Sequence, residues 1–190
     1  MEISERAESE VDKMSNIGFR MMTLGFKIRD YIRPCKEIID EVGLKAGFKV
    51  LDYGCGPGAY VRAVSEAIEP QGKLYALDSM PIAVDTVRKL VAKKGLKNVE
   101  TILSNCATDL PKEALDVVLV YDVFHDLRDQ QAVLNELHRV LKPNGVLSFS
   151  DHHLKEDEIF SKIMSSGLFT LQKKNEHTYS FIKQEPAKDA

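Results

Sequence analysis

The segment Asp52-Tyr53-Gly54-Cys55-Gly56-Pro57-Gly58 follows the short apolar run Lys49-Val50-Leu51 and precedes a helix-forming stretch from Tyr60 to Ile68. Glycines at alternate positions let the backbone turn sharply and approach a ligand with no Cβ in the way. A strand that ends in such a turn and feeds a helix is the opening unit of an open α/β sheet. Ligands of such sheets rest outside the carboxyl ends of the strands, so the turn also marks where a site is expected.

The rest of the chain repeats the unit. Strand-like runs at Leu74–Leu77, Thr101–Leu103, Asp116–Tyr121 and Val146–Ser150 alternate with helical patterns at Ile82–Lys94 and Gln130–Leu141. The runs are continuously apolar, as expected when helices cover both faces of a parallel sheet. Helix 130–141 carries Val133, Leu134, Leu137, Val140 and Leu141 on one stripe. After a helix at about Ile159–Met164, the runs Leu168–Gln172 and Thr178–Ile182 flank the polar turn Lys173-Lys174-Asn175-Glu176, which predicts a terminal hairpin. The whole reads as one doubly wound sheet with an antiparallel end.

Ahead of the core, Ile17, Met21, Leu24, Ile28 and Ile32 recur at helical steps until Pro34 interrupts, and a second helix runs from Cys35 to Val42. At 190 residues the chain suits a single domain, with residues 1–46 as a helical cap and 47–190 as the core. The Met and aromatic side chains of the first helix serve either as a lid over a site or as ordinary packing.

A net charge of -3 with scattered basic residues offers no positive field for a nucleic-acid backbone. No apolar run approaches the roughly 20 residues that span a bilayer, and the acidic start MEISERAESEVDK is the opposite of a signal peptide. Cys35, Cys55 and Cys106 show no C-x-x-C spacing, which suits a reducing cytoplasm and neither zinc nor a redox dithiol.

Gly54, Gly56 and Ala59 satisfy the loose dinucleotide pattern G-x-G-x-x-G/A, and Asp78 stands near the distance expected for an acid on a ribose. Two residues argue against a phosphate there. Asp52 places a carboxylate just before the glycines, where an ammonium is welcome and a pyrophosphate is repelled. Pro57 removes one of the backbone N–H groups that would hold phosphate oxygens.

VLDYGCGPGAY, followed in order by LYALDSM, SNCATDLP, ALDVVLVYDVFHDL and LKPNGVL, resembles the class I S-adenosylmethionine-dependent methyltransferases, especially their small type-11-like members. The resemblance covers about Gly47 to Ser150. It implies a Rossmann-like, mostly parallel seven-stranded sheet with an antiparallel C-terminal strand, and S-adenosylmethionine as cofactor. By that resemblance Asp52, Gly54, Cys55, Gly56 and Gly58 line the methionine end of the cofactor, Asp78 accepts from the ribose hydroxyls, and Ser79 and Met80 flank the adenine. Asn105 and Cys106 follow the third strand where the family often has an acidic residue and a small neighbour. An amide at Asn105 can still accept from the adenine amino group. Tyr121 is counted with the cofactor residues. The plain alternative for Asp78 is a cap on the helix that begins near Pro81, and Asp109 reads as a turn residue.

Tyr121 to Asp126 sit at the carboxyl edge of the fourth strand. Methyl transfer needs a nucleophile held in line with the methyl carbon and, for weakly acidic nucleophiles, a base. His125 is the candidate base, since imidazole titrates at about 6.5 and keeps a neutral fraction at cellular pH. Asp122 or Asp126 is expected to orient it; the alternative is a histidine that caps the following helix. His152 and His153, after the fifth strand, reach the same edge as base or pocket wall. With Asp151 they suggest a metal, but adjacent histidines on an extended chain diverge, so no metal is expected.

The resulting expectation is methylation of a small-molecule acceptor at oxygen, nitrogen or carbon, with neither nucleic acid nor membrane as partner. Arsenite methylation is disfavoured because Cys55 and Cys106 fall in cofactor motifs. The competing classes are a non-catalytic S-adenosylmethionine-binding subunit and a nicotinamide-dependent oxidoreductase. The amino-terminal helix and closing hairpin are the surfaces to inspect for a homodimer.

Overall fold

The computed structural model describes residues 35–184. The helix expected at Ile17–Ile32, with its lid role, lies outside the described residues. The elements are α1 (Cys35–Val42), β1 (Lys49–Tyr53), α2 (Val61–Ala67), β2 (Lys73–Asp78), α3 (Pro81–Lys94), β3 (Val99–Leu103), β4 (Leu115–Tyr121), α4 (Gln130–Val140), β5 (Leu141–Ser150), α5 (Glu156–Met164), β6 (Phe169–Lys174) and β7 (Tyr179–Lys183), with a single 3₁₀ turn at Phe124–Asp126.

The strands lie in the order β3-β2-β1-β4-β5-β7-β6. All pairs from β3 to β5 are parallel, and β7 runs antiparallel between β5 and β6. From β1 the chain builds outward through β2 and β3, then returns to build the other half from β4. The switch leaves a crevice between the carboxyl ends of β1 and β4, because the loops after them diverge to opposite halves of the sheet.

The central strands are buried on both faces, Val118 and Leu119 of β4 and Val50 and Leu51 of β1 among them. Helix α4 closes one face with Val133, Leu134, Leu137 and Val140. Each such burial is worth roughly 1.5–3 kcal/mol, so packing and not intrinsic propensity holds the helix in place. Helix α3 begins on Pro81 and stops at Gly95, whose φ of 65° closes the last turn in the left-handed region.

Of the boundaries that differ from expectation, two have a plain physical cause. Strand β1 continues past Leu51 through Asp52 to Tyr53, because β2 and β4 supply ladders on both sides as far as Tyr53↔Leu77 and Tyr53↔Val120. Asp52 therefore belongs to the sheet and not to the loop. Strand β5 starts at Leu141, directly after α4, and pairs Leu115↔Leu141 before the register shifts to Val117↔Val146. That irregularity accommodates Pro143, which has no N–H to give to a ladder.

Candidate active site

The glycine turn is fastened to the end of β2 by backbone. Gly54 and Cys55 N–H both donate to the Leu77 carbonyl, at 2.8 and 2.9 Å. Gly54 has a φ of 77°, and a Cβ on it would lie 2.5 Å from Cγ2 of Val123. Conformation and space both require glycine there. Asp78 completes the fastening: Oδ2 accepts Gly56 N–H at 2.9 Å and Oδ1 accepts Met80 N–H at 2.9 Å. The N-cap of α3 is Met80, which has no side-chain cap, so Asp78 joins two turns instead of capping the helix from its own position. A carboxylate oxygen accepts more than one hydrogen bond, which leaves Asp78 able to receive hydroxyl donors as well.

Asp52 lies behind this turn, buried, and its Oδ2 is the one fully buried side-chain polar atom among the described residues without a hydrogen-bond partner. Burial, and next the charge of Asp78, pushes its carboxyl up to about 7. A buried carboxylate is costly until a proton or a cation satisfies it.

A cleft of about 590 Å³ opens beside these residues. Among the predicted cofactor residues, Gly54, Asp78, Ser79, Asn105 and Cys106 line it. The structure adds Tyr53, whose hydroxyl donates to the Asn105 carbonyl at 3.0 Å and so sets the position of the β3 loop. Val123, Leu127 and Arg128 form the opposite wall. Asp52, Cys55, Gly56, Gly58 and Met80 are not among the lining residues. Cys55 is buried, and burial pushes its thiol well above the ordinary range. Tyr121 is not among the lining residues; its hydroxyl is 2.7 Å from Ser148 Oγ and its ring meets Tyr60 edge-on at 5.0 Å.

The loop from Asn105 to Leu110 is held by Glu136 of α4. Its Oε1 accepts both Thr108 N–H at 2.9 Å and Thr108 Oγ1–H at 2.6 Å, while Arg139 bridges Glu136 and the Leu110 carbonyl. Asp109 has a φ of 56°, in keeping with a turn residue.

At the rim the expected pairing of acid and base is exchanged. Neither Asp122 nor Asp126 holds Nδ1 of His125; Asp151 does, with Oδ1 and Oδ2 at 3.0 and 2.9 Å. Asp151 also accepts the backbone N–H of His125 and of His153, both at 3.1 Å. Its carboxylate is fully buried, while the His125 ring keeps 21% of its surface exposed. Because the carboxylate accepts a hydrogen bond from Nδ1–H, neutral His125 carries its lone pair on Nε2. Asp126, largely exposed, approaches that Nε2 at 3.4 Å. Asp122 holds His152, accepting its backbone N–H at 3.1 Å and meeting Nδ1 at 2.6 Å. The loop after β5 bends into a turn, and the His153 ring lies 4.1 Å from that of His125 and 4.0 Å from that of His152. The adjacent histidines therefore do not diverge as an extended chain would force them to. The capping alternative for His125 is also overturned: α4 is capped by Asp129, which accepts Ala132 N–H at 2.9 Å.

Asp151 enters the sequence reading only as a metal partner of His152 and His153, and is not paired with His125 there. The signal was present, since it stands one residue past the β5 run beside two histidines, but only the sheet brings it beneath His125.

Residues 44–185 match the family described as a methyltransferase domain. The chain belongs to the class I S-adenosylmethionine-dependent methyltransferases. Among its relatives, the demethylmenaquinone methyltransferase of Geobacillus stearothermophilus is 28% identical over 145 residues, covering 76% of this chain and 58% of the relative. That of Lactococcus lactis is 30% identical, covering 76% and 54%. This methyltransferase chain thus spans somewhat over half the length of the curated relatives it matches. Among solved structures, a SAM-dependent methyltransferase from Aquifex aeolicus superposes with a TM-score of 0.72 at 29% identity, covering 78% of this chain and 89% of that one. The nicotinamide reading falls with this membership.

The residues present fit the family's cofactor. The bare oxygen of Asp52 suits a nearby cation, Asp78 offers accepting oxygens at the end of β2, and the missing Cβ of Gly54 keeps the cleft open. Among the described residues no helix is long and apolar enough to cross a membrane.

Proposed function

We propose that this chain methylates the hydroxylated aromatic ring of a reduced quinone, of the kind stated in the names of its demethylmenaquinone-methylating relatives, with S-adenosylmethionine as donor. The single observation that carries the reading is the His125–Asp151 pair, a base oriented through Nδ1 whose Nε2 lies 3.4 Å from Asp126, a residue of the cleft lining.

When bound, S-adenosylmethionine supplies a methyl carbon on a sulfonium and departs as a neutral thioether. In this reading Asp52 faces the methionine ammonium, Asp78 holds the ribose, and Ser79, Met80, Asn105 and Cys106 border the adenine. The quinone has to be reduced, because the oxidised ring is itself an electrophile whereas a ring bearing hydroxyls is a nucleophile once ionised. Nε2 of His125 takes the hydroxyl proton, and Asp151 holds the ring in the tautomer that allows it. Val123 and Leu127 supply an apolar wall for a flat ring beside the transfer point. A reducing cytoplasm fits a protein whose described cysteines are all free thiols.

The test is anaerobic incubation of the protein with S-adenosylmethionine and a chemically reduced, short-chain demethylmenaquinone, with the product read by mass. A gain of one methyl group on the ring, abolished in His125→Gln, supports the reading. Methylation that His125→Gln leaves intact removes His125 as the base, and absence of product defeats the acceptor class.

A further inference from the structure

Methylation at an oxygen or at an amine nitrogen releases a single proton. Methylation at an aromatic carbon handles two: a hydroxyl proton leaves to make the ring nucleophilic, and the ring hydrogen on the methylated carbon must then depart to restore aromaticity. The loops after β4 and β5, the first of which also lines the cleft with Val123 and Asp126, hold two histidines, each tied through Nδ1 to a carboxylate and each therefore carrying a lone pair on Nε2 when neutral.

The two pairs are interlocked. The loop after β4 supplies Asp122 and His125, the loop after β5 supplies Asp151 and His152, and each histidine is held by the carboxylate of the other loop. The His153 ring touches both, at 4.1 and 4.0 Å, and keeps them a ring apart. Asp122 adopts a φ of 52°, unusual for a residue with a side chain, and is held there by its N–H donating to the Ser150 carbonyl at 2.8 Å. Backbone of this kind persists where the surroundings enforce it and is concentrated at functional sites. The two rings also differ in exposure: the His125 side chain is 21% exposed over a fully buried carboxylate, while that of His152 is 64% exposed.

We infer that His152, oriented by Asp122, is a second proton acceptor that removes the ring hydrogen after methyl transfer, while His125 takes the hydroxyl proton before it. The inference rests on the aromatic acceptor proposed above. In the first step Nε2 of His125 takes the hydroxyl proton and the O–H electron pair moves into the ring. The ring carbon beside that hydroxyl bonds to the methyl carbon, whose bond to sulfur breaks with its pair remaining on sulfur. The ring now holds a carbonyl, with hydrogen and methyl on one carbon. In the second step Nε2 of His152 takes that hydrogen as a proton, and the C–H pair restores the aromatic ring. The carbonyl oxygen becomes an oxyanion and recovers a proton from His125. One proton leaves to water from the more exposed histidine, and no oxidant or reductant is consumed.

The experiment uses the reduced short-chain demethylmenaquinone carrying deuterium at the ring carbon to be methylated. Turnover and the deuterium content of rapidly quenched product are followed for the wild type, His125→Gln and His152→Gln. Binding of S-adenosylhomocysteine and thermal unfolding serve as controls for folding. The expected result is a severalfold deuterium isotope effect, with methylated but still deuterated material, in His152→Gln alone. His125→Gln is slow with no added isotope effect. Equal isotope sensitivity in both variants, or none in either, overturns the second-base role while leaving the acceptor reading intact. No methylated product from the wild type overturns the acceptor reading and this inference with it.

Discussion

At the carboxyl end of β1 the site is made of backbone, whereas at the ends of β4 and β5 it is made of side chains. The first half consists of a left-handed glycine, amides that donate to Leu77, and one carboxylate that joins two turns. The second consists of histidines and aspartates that reach across from neighbouring loops. A backbone-built half tolerates no Cβ at its tightest point but depends little on side-chain orientation. A half built from side chains can be rearranged residue by residue, and its pairing follows from which strands are neighbours. The difference teaches how the proposed reading divides the labour: the donor would rest on the half fixed by the strand-turn-helix unit, and the acceptor on the half built from side chains.

The comparison predicts separable losses. The largest concerns the side-chain half: His125→Gln lowers kcat by about 10²–10⁴-fold, the range of general-base catalysis, with calorimetric binding of S-adenosylhomocysteine unchanged. Equal loss of both would erase the distinction between the halves. Next, Gly54→Ala forces a Cβ against Val123 in a left-handed conformation; strain of roughly 1–2 kcal/mol from the backbone and 1–3 kcal/mol from overpacking should appear in thermal unfolding, with cofactor binding weakened. The added substitution Val123→Ala should recover the overpacking part only. Asp78→Ala removes the acceptor for Gly56 and Met80 N–H; a loss of about 1.5–3 kcal/mol for hydrogen bonds to a charged group should appear in thermal unfolding, with weaker calorimetric binding of S-adenosylhomocysteine.

The smallest effect sharpens the electrostatic side. The carboxyl of Asp52 is raised in the folded state to about 7, from an ordinary value of 3.8. The folded chain therefore holds this proton more tightly than the unfolded chain, so the contribution of Asp52 to stability is most favourable below about 3.8 and declines as pH rises toward 7. Asp52→Asn should stabilise the cofactor-free protein at pH 8, on the order of 1–2 kcal/mol after the cost of a buried amide, and leave it little changed near pH 4. The same substitution should weaken S-adenosylmethionine binding, because the carboxylate that suits the ammonium is gone. Stabilisation together with unchanged affinity would remove Asp52 from the cofactor site.

Much of the fold could be read from residue order. Continuous apolar runs separated by helical stripes place the strands and helices within a few residues, and the glycine turn marks the sheet edge where the cleft opens. The misplacements have particular causes. Asp52 reads as a loop residue because the apolar run ends at Leu51; ladders from both neighbours keep it in the strand. The sequence reading counts Tyr121 with the cofactor residues; the structure shows its hydroxyl against Ser148 and its ring against Tyr60.

What the sequence by itself determined is the alternation of elements, the chemistry available at each strand end and the membership in a methyltransferase family. These depend on interactions between residues close in the chain or on patterns with a fixed period. Only the tertiary structure decided that Asp151 and not Asp122 or Asp126 holds His125, that Asp122 holds His152, and that three imidazoles meet at one rim. Asp151 lies 26 positions from His125, and their contact follows from the parallel pairing of β4 with β5, which sets Tyr121 beside Ser150 and brings the two following loops together. Strand adjacency is settled by how the whole sheet buries its apolar surface, and no local pattern carries that information.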